Sequence, residues 1–185
     1  ILDRSVKITA PSINVTTFKE IKEEYERPCV LVTVDYKEGL KGINVLIIDE
    51  RDAAIIADLM MGGDASEVAD ELDEIHISAV GEAMNQMMGS ASTAMSSIID
   101  NVVNISPPEP EFLDLGEAMD EDLLKFDDTE EIVSINFQLQ VEDLIDSSFK
   151  QIVSLEFARS LISQVTEDNS GLTSREQSAG EEETQ

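Results

Sequence analysis

One stretch constrains this chain more than any other: HISAVGEAMNQMMGSASTAMSSIID, residues 76–100, which reads as a long helix. At about 100° per residue, Val80, Met84, Met87, Ala91, Met95 and Ile98 fall on one side and form a core stripe. The methionines in it read as packing, since unbranched thioethers fill irregular gaps. The opposite side carries Ser78, Glu82, Asn85, Gly89, Ser92 and Ser96, at spacings of 4, 3, 4, 3 and 4. Those spacings hold them in a narrow strip, so Glu82 and Asn85 stand one turn apart and point the same way. Glycine costs about 1 kcal/mol relative to alanine inside a helix, so Gly81 and Gly89 each need a reason. Close approach of another backbone is one, close packing within the fold is the other, and the sequence leaves both open. No Lys or Arg occurs between Arg51 and Lys125. Glu82 therefore has no cationic neighbour on its own helix, which leaves it free for a lysine brought by a partner unless a residue distant in sequence pairs with it in the fold.

The rest of the chain is organised around this helix, expected over 66–99. Residues 5–18 read as extended and β-branched, broken by Pro11. CVLVTVDY (29–36) and INVLIID (43–49) read as strands joined by a turn with Gly39 and Gly42, and DAAIIADLMM (52–61) as a short helix stopped by Gly62-Gly63. Beyond the long helix, VVNISPPEPEF (102–112) is extended and proline-rich, and residues 114–128 form an acidic loop. Strand patterns return at 131–141 and 150–157, and ARSLISQV (158–165) is a short helix. KITAPS (7–12) matches NISPPE (104–109), aligning Ile8 with Ile105, Thr9 with Ser106 and Pro11 with Pro108. Both are followed by a loop, a strand pair and a short helix. The fold expected is α+β: a duplicated, pseudo-twofold sheet with long helices on one face. In a full duplicate another long helix precedes residue 1, so the chain reads as an N-truncated domain over 1–165. A polar segment without apolar period, 166–185, follows as a disordered acidic tail or linker.

Composition excludes whole classes of function. Twelve basic against 40 acidic residues give a formal net charge of −28, a field that repels nucleic acid and anionic membranes and either favours a partner with a basic face or serves solubility alone. No apolar run reaches the roughly 18 residues that span a bilayer, so no direct membrane insertion is expected. Cys29 is the only cysteine and His76 the only histidine. Neither can build a catalytic triad or a zinc site, so both read as structural, no metal site is expected, and a lone cysteine fits a reducing cytosol.

The pattern Ser78, Glu82, Asn85 and, after 22 further residues, Pro108 resembles the signature Ser/Asp-x3-Glu-x2-Asn…Pro of the CheC, CheX and FliY phosphatases. DAAIIADLMMGGD and AVGEAMNQMMGSASTAMSSIID are similar to the flagellar switch members, and the resemblance covers about residues 1–165. It implies a CheC-like fold and hydrolysis of the aspartyl phosphate on the chemotaxis response regulator CheY. Asn85 is then implied to position the attacking water, Glu82 to salt-bridge a regulator lysine, and Ser78, Gly89 and Ser92 to line the contact, with Pro108 as a structural element. The regulator brings its own Mg2+, and this chain binds no cofactor. The implied setting is the cytoplasmic face of the flagellar basal body, beside the switch proteins FliM, FliG and FliN-like subunits. The other reading is a non-catalytic scaffold like the FliM middle domain. FliM-like domains lack the Glu/Asn pair, and this chain has it.

Overall fold

The computed structural model describes residues 5–117 and 126–166. Among the described residues seven strands form one sheet, ordered β1-β6-β7-β3-β2-β4, with β5 also pairing β2. The strands are β1 (Val6–Thr17), β2 (Cys29–Glu38), β3 (Gly42–Asp49), β4 (Asn104–Ile105), β5 (Glu109–Leu113), β6 (Glu131–Val141) and β7 (Ile145–Ser154). Every pairing is antiparallel.

This order explains the weak internal repeat. The hairpins β2–β3 and β6–β7 sit side by side, joined through β3 and β7. Each then receives its outer neighbour from the other half: β1 joins β6, and β4 with β5 joins β2. Both repeat prolines lie at sheet edges, where no donor is needed. Pro11 sits in a register shift between Thr9 and Ser12, and Pro108 in the break between β4 and β5. Ser106 bridges that break: its hydroxyl accepts from Asp35 N–H at 2.9 Å and its N–H donates to Asp35 O at 2.8 Å.

Helices cover one face as expected: α2 (Glu50–Met60), α3 (Glu74–Ile98) and α4 (155–166). One element was not expected. α1 (Phe18–Glu24) follows β1 directly and packs on the opposite face, where Phe18 and Ile21 join Cys29, Leu31, Val45, Ile47, Ile132 and Ile152. Its start is a capping box, with Thr17 Oγ1 accepting from Glu20 N–H at 3.3 Å and Glu20 Oε2 from Thr17 N–H at 3.0 Å. Residues Cys29–Val34 are buried on both faces in consequence. The unbroken apolar run CVLV therefore belongs to a central strand and not to a half-solvated one.

The long helix is shorter than the sequence suggests. Residues 66–73 are not helical, and α3 begins at Glu74. Asp73 is the N-cap, its carboxylate accepting from Ile75 N–H at 2.9 Å and His76 N–H at 3.0 Å. The loop before it is folded back by Ala65, in the left-handed region at φ 62° with its N–H donated to Asp58 at 2.8 Å. The strand expected over 150–157 begins earlier, at Ile145, because Glu142 (φ 46°) turns the β6–β7 hairpin, and it ends at Ser154 where α4 takes over. The acidic loop is described only at 114–117 and 126–128, and the tail lies outside the described residues beyond Thr166.

The inner side of α3 also differs from the expected stripe. Val80, Ala83, Met84 and Met88 are buried against Val30, Val32, Leu46, Leu139 and Val141. Ile98 is 60% exposed and Ile99 8%. The reason is a change of partner along the helix: its last turn leaves this cluster for one built on Tyr36, Leu40, Val103 and Phe157, and the buried direction rotates by about one residue. On the same sheet face, β1 presents Val6, Ile8, Ile13 and Val15, exposed by 46% to 63%. Their cross-strand partners Val141, Leu139, Ile135 and Val133 fix that side. Val6 and Ile8 border an apolar cavity together with Ala83, Met84 and Met87 of α3.

Candidate functional site

The proposed strip lies on the outside of α3. Ser78, Glu82, Asn85 and Gly89 are exposed, and Ser92 and Ser96 are half-buried. The strip is outward because the opposite side of the helix is used up in the core. Its path is fixed at one end by the Asp73 cap and at the other by Ser96, whose hydroxyl donates to Ser92 O at 2.8 Å and accepts from Val103 N–H at 2.9 Å.

The two chemical groups differ in how they are held. Glu82 Oε1 accepts from Gln86 Nε2 at 2.7 Å, one turn further along. No Lys or Arg pairs with Glu82 among the described residues. This surface bond is weak in water and leaves the second oxygen available. Asn85 has no side-chain hydrogen bond among the described residues, so its carbonyl and both amide protons are open to water or a ligand. Gln86 is the participant the sequence reading missed; the signal was its i+4 spacing from Glu82.

Below Asn85 the helix surface is low. A Cβ at Gly89 would meet nothing within 4 Å. The hydroxyls that follow turn back onto the backbone: Ser92 and Thr93 both donate to Gly89 O at 3.0 Å, and Ser90 donates to Gln86 O at 3.0 Å. Ser92 is therefore a small, internally satisfied wall and not a projecting donor. Gly81 is the opposite case. A Cβ there would stand 2.9 Å from Pro110 Cγ, so it lets β5 approach α3. Pro108 is half-buried in the segment leading into β5. The proline-rich segment thus clamps the flank of α3 at Gly81 and leaves the Glu82–Asn85–Gly89 surface open.

The other candidate groups play structural parts. His76 Nδ1 lies 2.6 Å from Asp73 Oδ1 and completes the cap, and the His76 backbone N–H is the main reason the Asp73 carboxyl sits below its ordinary range. Cys29 is buried, which together with the nearby Asp49 pushes its thiol up to about 12; such a thiol is inert at neutral pH. Asp52, in the first turn of α2, is the one buried carboxylate among the described residues. Burial raises its pKa, opposed by the hydrogen bond that Ser147 donates to it.

Comparison with known proteins fits this geometry. The model of the CheC-like family matches residues 75–109, from the first turn of α3 to just past Pro108. The crystal structure of Thermotoga maritima FliY superposes with a TM-score of 0.83 at 39% identity, covering 90% of this chain and 85% of that one. The chain belongs to the FliY family. A FliY from Bacillus subtilis, named a flagellar motor switch phosphatase, is 45% identical over 170 residues. That match covers 92% of this chain and 44% of the B. subtilis protein, so the chain spans less than half of that FliY's length. The fold extends past the FliY family: the FliM middle domain from H. pylori shares it at 13% identity, with a TM-score of 0.66 over 88% of this chain and 84% of that one. Among the described residues no helix is long and apolar enough to cross a membrane.

Proposed function

We propose that this domain removes the phosphoryl group from the aspartyl phosphate of a CheY-like response regulator at the flagellar motor switch. The observation that carries the reading is the exposed carboxamide of Asn85, without a side-chain partner among the described residues and one turn from a carboxylate that no Lys or Arg among them pairs with. The phosphatase name of the B. subtilis relative supports the same chemistry.

An acyl phosphate is already activated, and its hydrolysis needs an in-line water and neutralised charge. The regulator supplies the charge neutralisation through its own Mg2+ and lysine. Asn85 accepts a hydrogen bond from the water on its carbonyl oxygen and aims the water oxygen at phosphorus, which lowers the entropic part of the barrier. The oxygen–phosphorus bond forms as the phosphorus–carboxylate bond breaks, and the aspartate carboxylate leaves with its electron pair. The water proton passes to phosphate or bulk solvent, since an amide does not titrate usefully. Glu82 exchanges its bond to Gln86 for the regulator's lysine and sets the register. Gly89 and Ser92 allow the close approach, Ser78 borders it, and Pro108 supports the segment that flanks the helix.

Phosphate release from the phosphorylated regulator with Mg2+ tests the reading. Asn85→Ala is expected to lower the stimulated rate about a hundredfold or more, with binding to the beryllofluoride-activated regulator unchanged. Full activity in Asn85→Ala would sink the water-positioning role. The shared FliM fold favours a second reading, a non-catalytic scaffold that binds the regulator and the rotor proteins FliM, FliG and FliN-like subunits; it predicts binding with no release above the regulator's own rate.

A further inference from the structure

The strip continues one turn beyond the residues considered so far. Ile75 precedes Ser78 by three positions, prolonging the same 4-and-3 spacing, and it is 66% exposed in the first turn of α3. Beside it a groove separates that turn from β5. Leu72, Ile77, Pro110 and Leu113 make its apolar part, and Ser78, the near end of the strip, borders it. Phe112 lines it as well, opposite Val30 in the β2–β5 ladder and 38% exposed. Neither Ile75 nor Phe112 belongs to any of the packed apolar clusters. The groove is pre-formed: the Asp73 cap fixes one wall, and the tight seat of Pro110 against Gly81 fixes the other.

Its charge selects the occupant. Asp73, Glu74 and Glu111 line it and no Lys or Arg does. A second copy of a chain with net charge −28 is repelled from such a rim, whereas a face carrying lysines around an apolar residue is attracted. We propose that this groove, flanked by Ile75 and Phe112, receives an apolar side chain from the basic face of the same response regulator and thereby sets where Glu82 and Asn85 meet the phosphate. The inference rests on the regulator reading given above and adds an anchor to it. Exposed side chains that become fully desolvated at the centre of a contact carry a disproportionate share of binding.

The test titrates the full domain with beryllofluoride-activated regulator and measures turnover in parallel, for the wild type, Ile75→Ser, Phe112→Ser and the rim variant Glu111→Lys. Both serine variants are expected to raise Kd and KM about tenfold, the loss of roughly one buried apolar contact, with kcat unchanged. Glu111→Lys is expected to raise Kd at low salt and to lose that effect at high salt. Thermal melts matching the wild type exclude a folding defect in Ile75→Ser, and Glu111→Lys remains a reading if Phe112→Ser weakens β5. Wild-type Kd in both serine variants overturns the anchor, as does a change confined to self-association of the domain. A wild type that binds the regulator without hydrolysing it overturns the catalytic reading alone, and the Kd values still decide the anchor. A wild type that does not bind the regulator overturns both.

Discussion

Gly81 and Gly89 stand on the same helix and carry the same intrinsic cost, yet their surroundings give them opposite roles. Gly81 is pressed by Pro110, so its missing side chain serves the fold. Gly89 faces open space, and no contact among the described residues accounts for it. Close packing within the fold, one of the two explanations left open by the sequence, holds at Gly81 and not at Gly89. A glycine kept at about 1 kcal/mol without an internal contact is what a surface built for close approach requires. The comparison also divides α3: its first half is packed on the sheet, with β5 pressed against it at Gly81, and its middle is exposed.

Four substitutions break or sharpen that division. Glu82→Lys acts on the outward half with the largest effect. Placing a like charge against the regulator's lysine is expected to weaken binding by about a hundredfold, with an unchanged melting temperature. Titration at two salt concentrations checks it, and unchanged affinity at low salt would remove the ion pair from the account. Gly89→Leu comes next. It fills open space, so the domain is expected to melt at the same temperature or slightly higher, while the regulator's affinity falls about tenfold or more through steric exclusion. A variant that binds normally would return Gly89 to an unexplained surface residue.

Gly81→Ala tests the inward half. Helix propensity gains about 1 kcal/mol, but relieving the Pro110 contact costs roughly 1–3 kcal/mol. The net expected is a loss of about 1 kcal/mol in denaturant unfolding, and a stabilised variant would mean that β5 is not held there. The smallest effect belongs to Asp52, remote from the strip. Its carboxyl titrates above the ordinary range because it is buried. The native state therefore holds the proton more tightly than the unfolded chain does. The stability this gives is fully present below the unfolded pKa and is lost as pH rises through the folded one. Asp52→Asn is expected to raise the melting temperature near pH 7 by a few degrees or less and to change it little at acidic pH. Equal shifts at both pH values would count against a raised carboxyl.

Much of the site was legible because it is a property of one helix. The 3.6-residue period places Ser78, Glu82, Asn85 and Gly89 on one side whatever the helix packs against, and the structure leaves those four exposed. The repeat around Pro11 and Pro108 was legible for a similar local reason, since proline is tolerated only where a strand donates nothing. The capping box at Thr17 and Glu20 was written in the sequence as well, but β1 runs into α1 without a break and hid it. The start of α3 was misplaced because residues 66–73 carry no breaker. A polar cap at Asp73 and a fold-back at Ala65 end the loop instead.

What the sequence determined alone is the pairing of a carboxylate with a carboxamide on a cation-free helical strip, since spacing along one helix needs no distant contact. Tertiary structure alone decided which glycine is packed, which of Ile98 and Ile99 is buried, and that the two halves of the sheet exchange their outer strands. Each of these depends on residues brought together from far along the chain, and the free energy of such contacts comes from the surface they jointly remove from water, which no local pattern records.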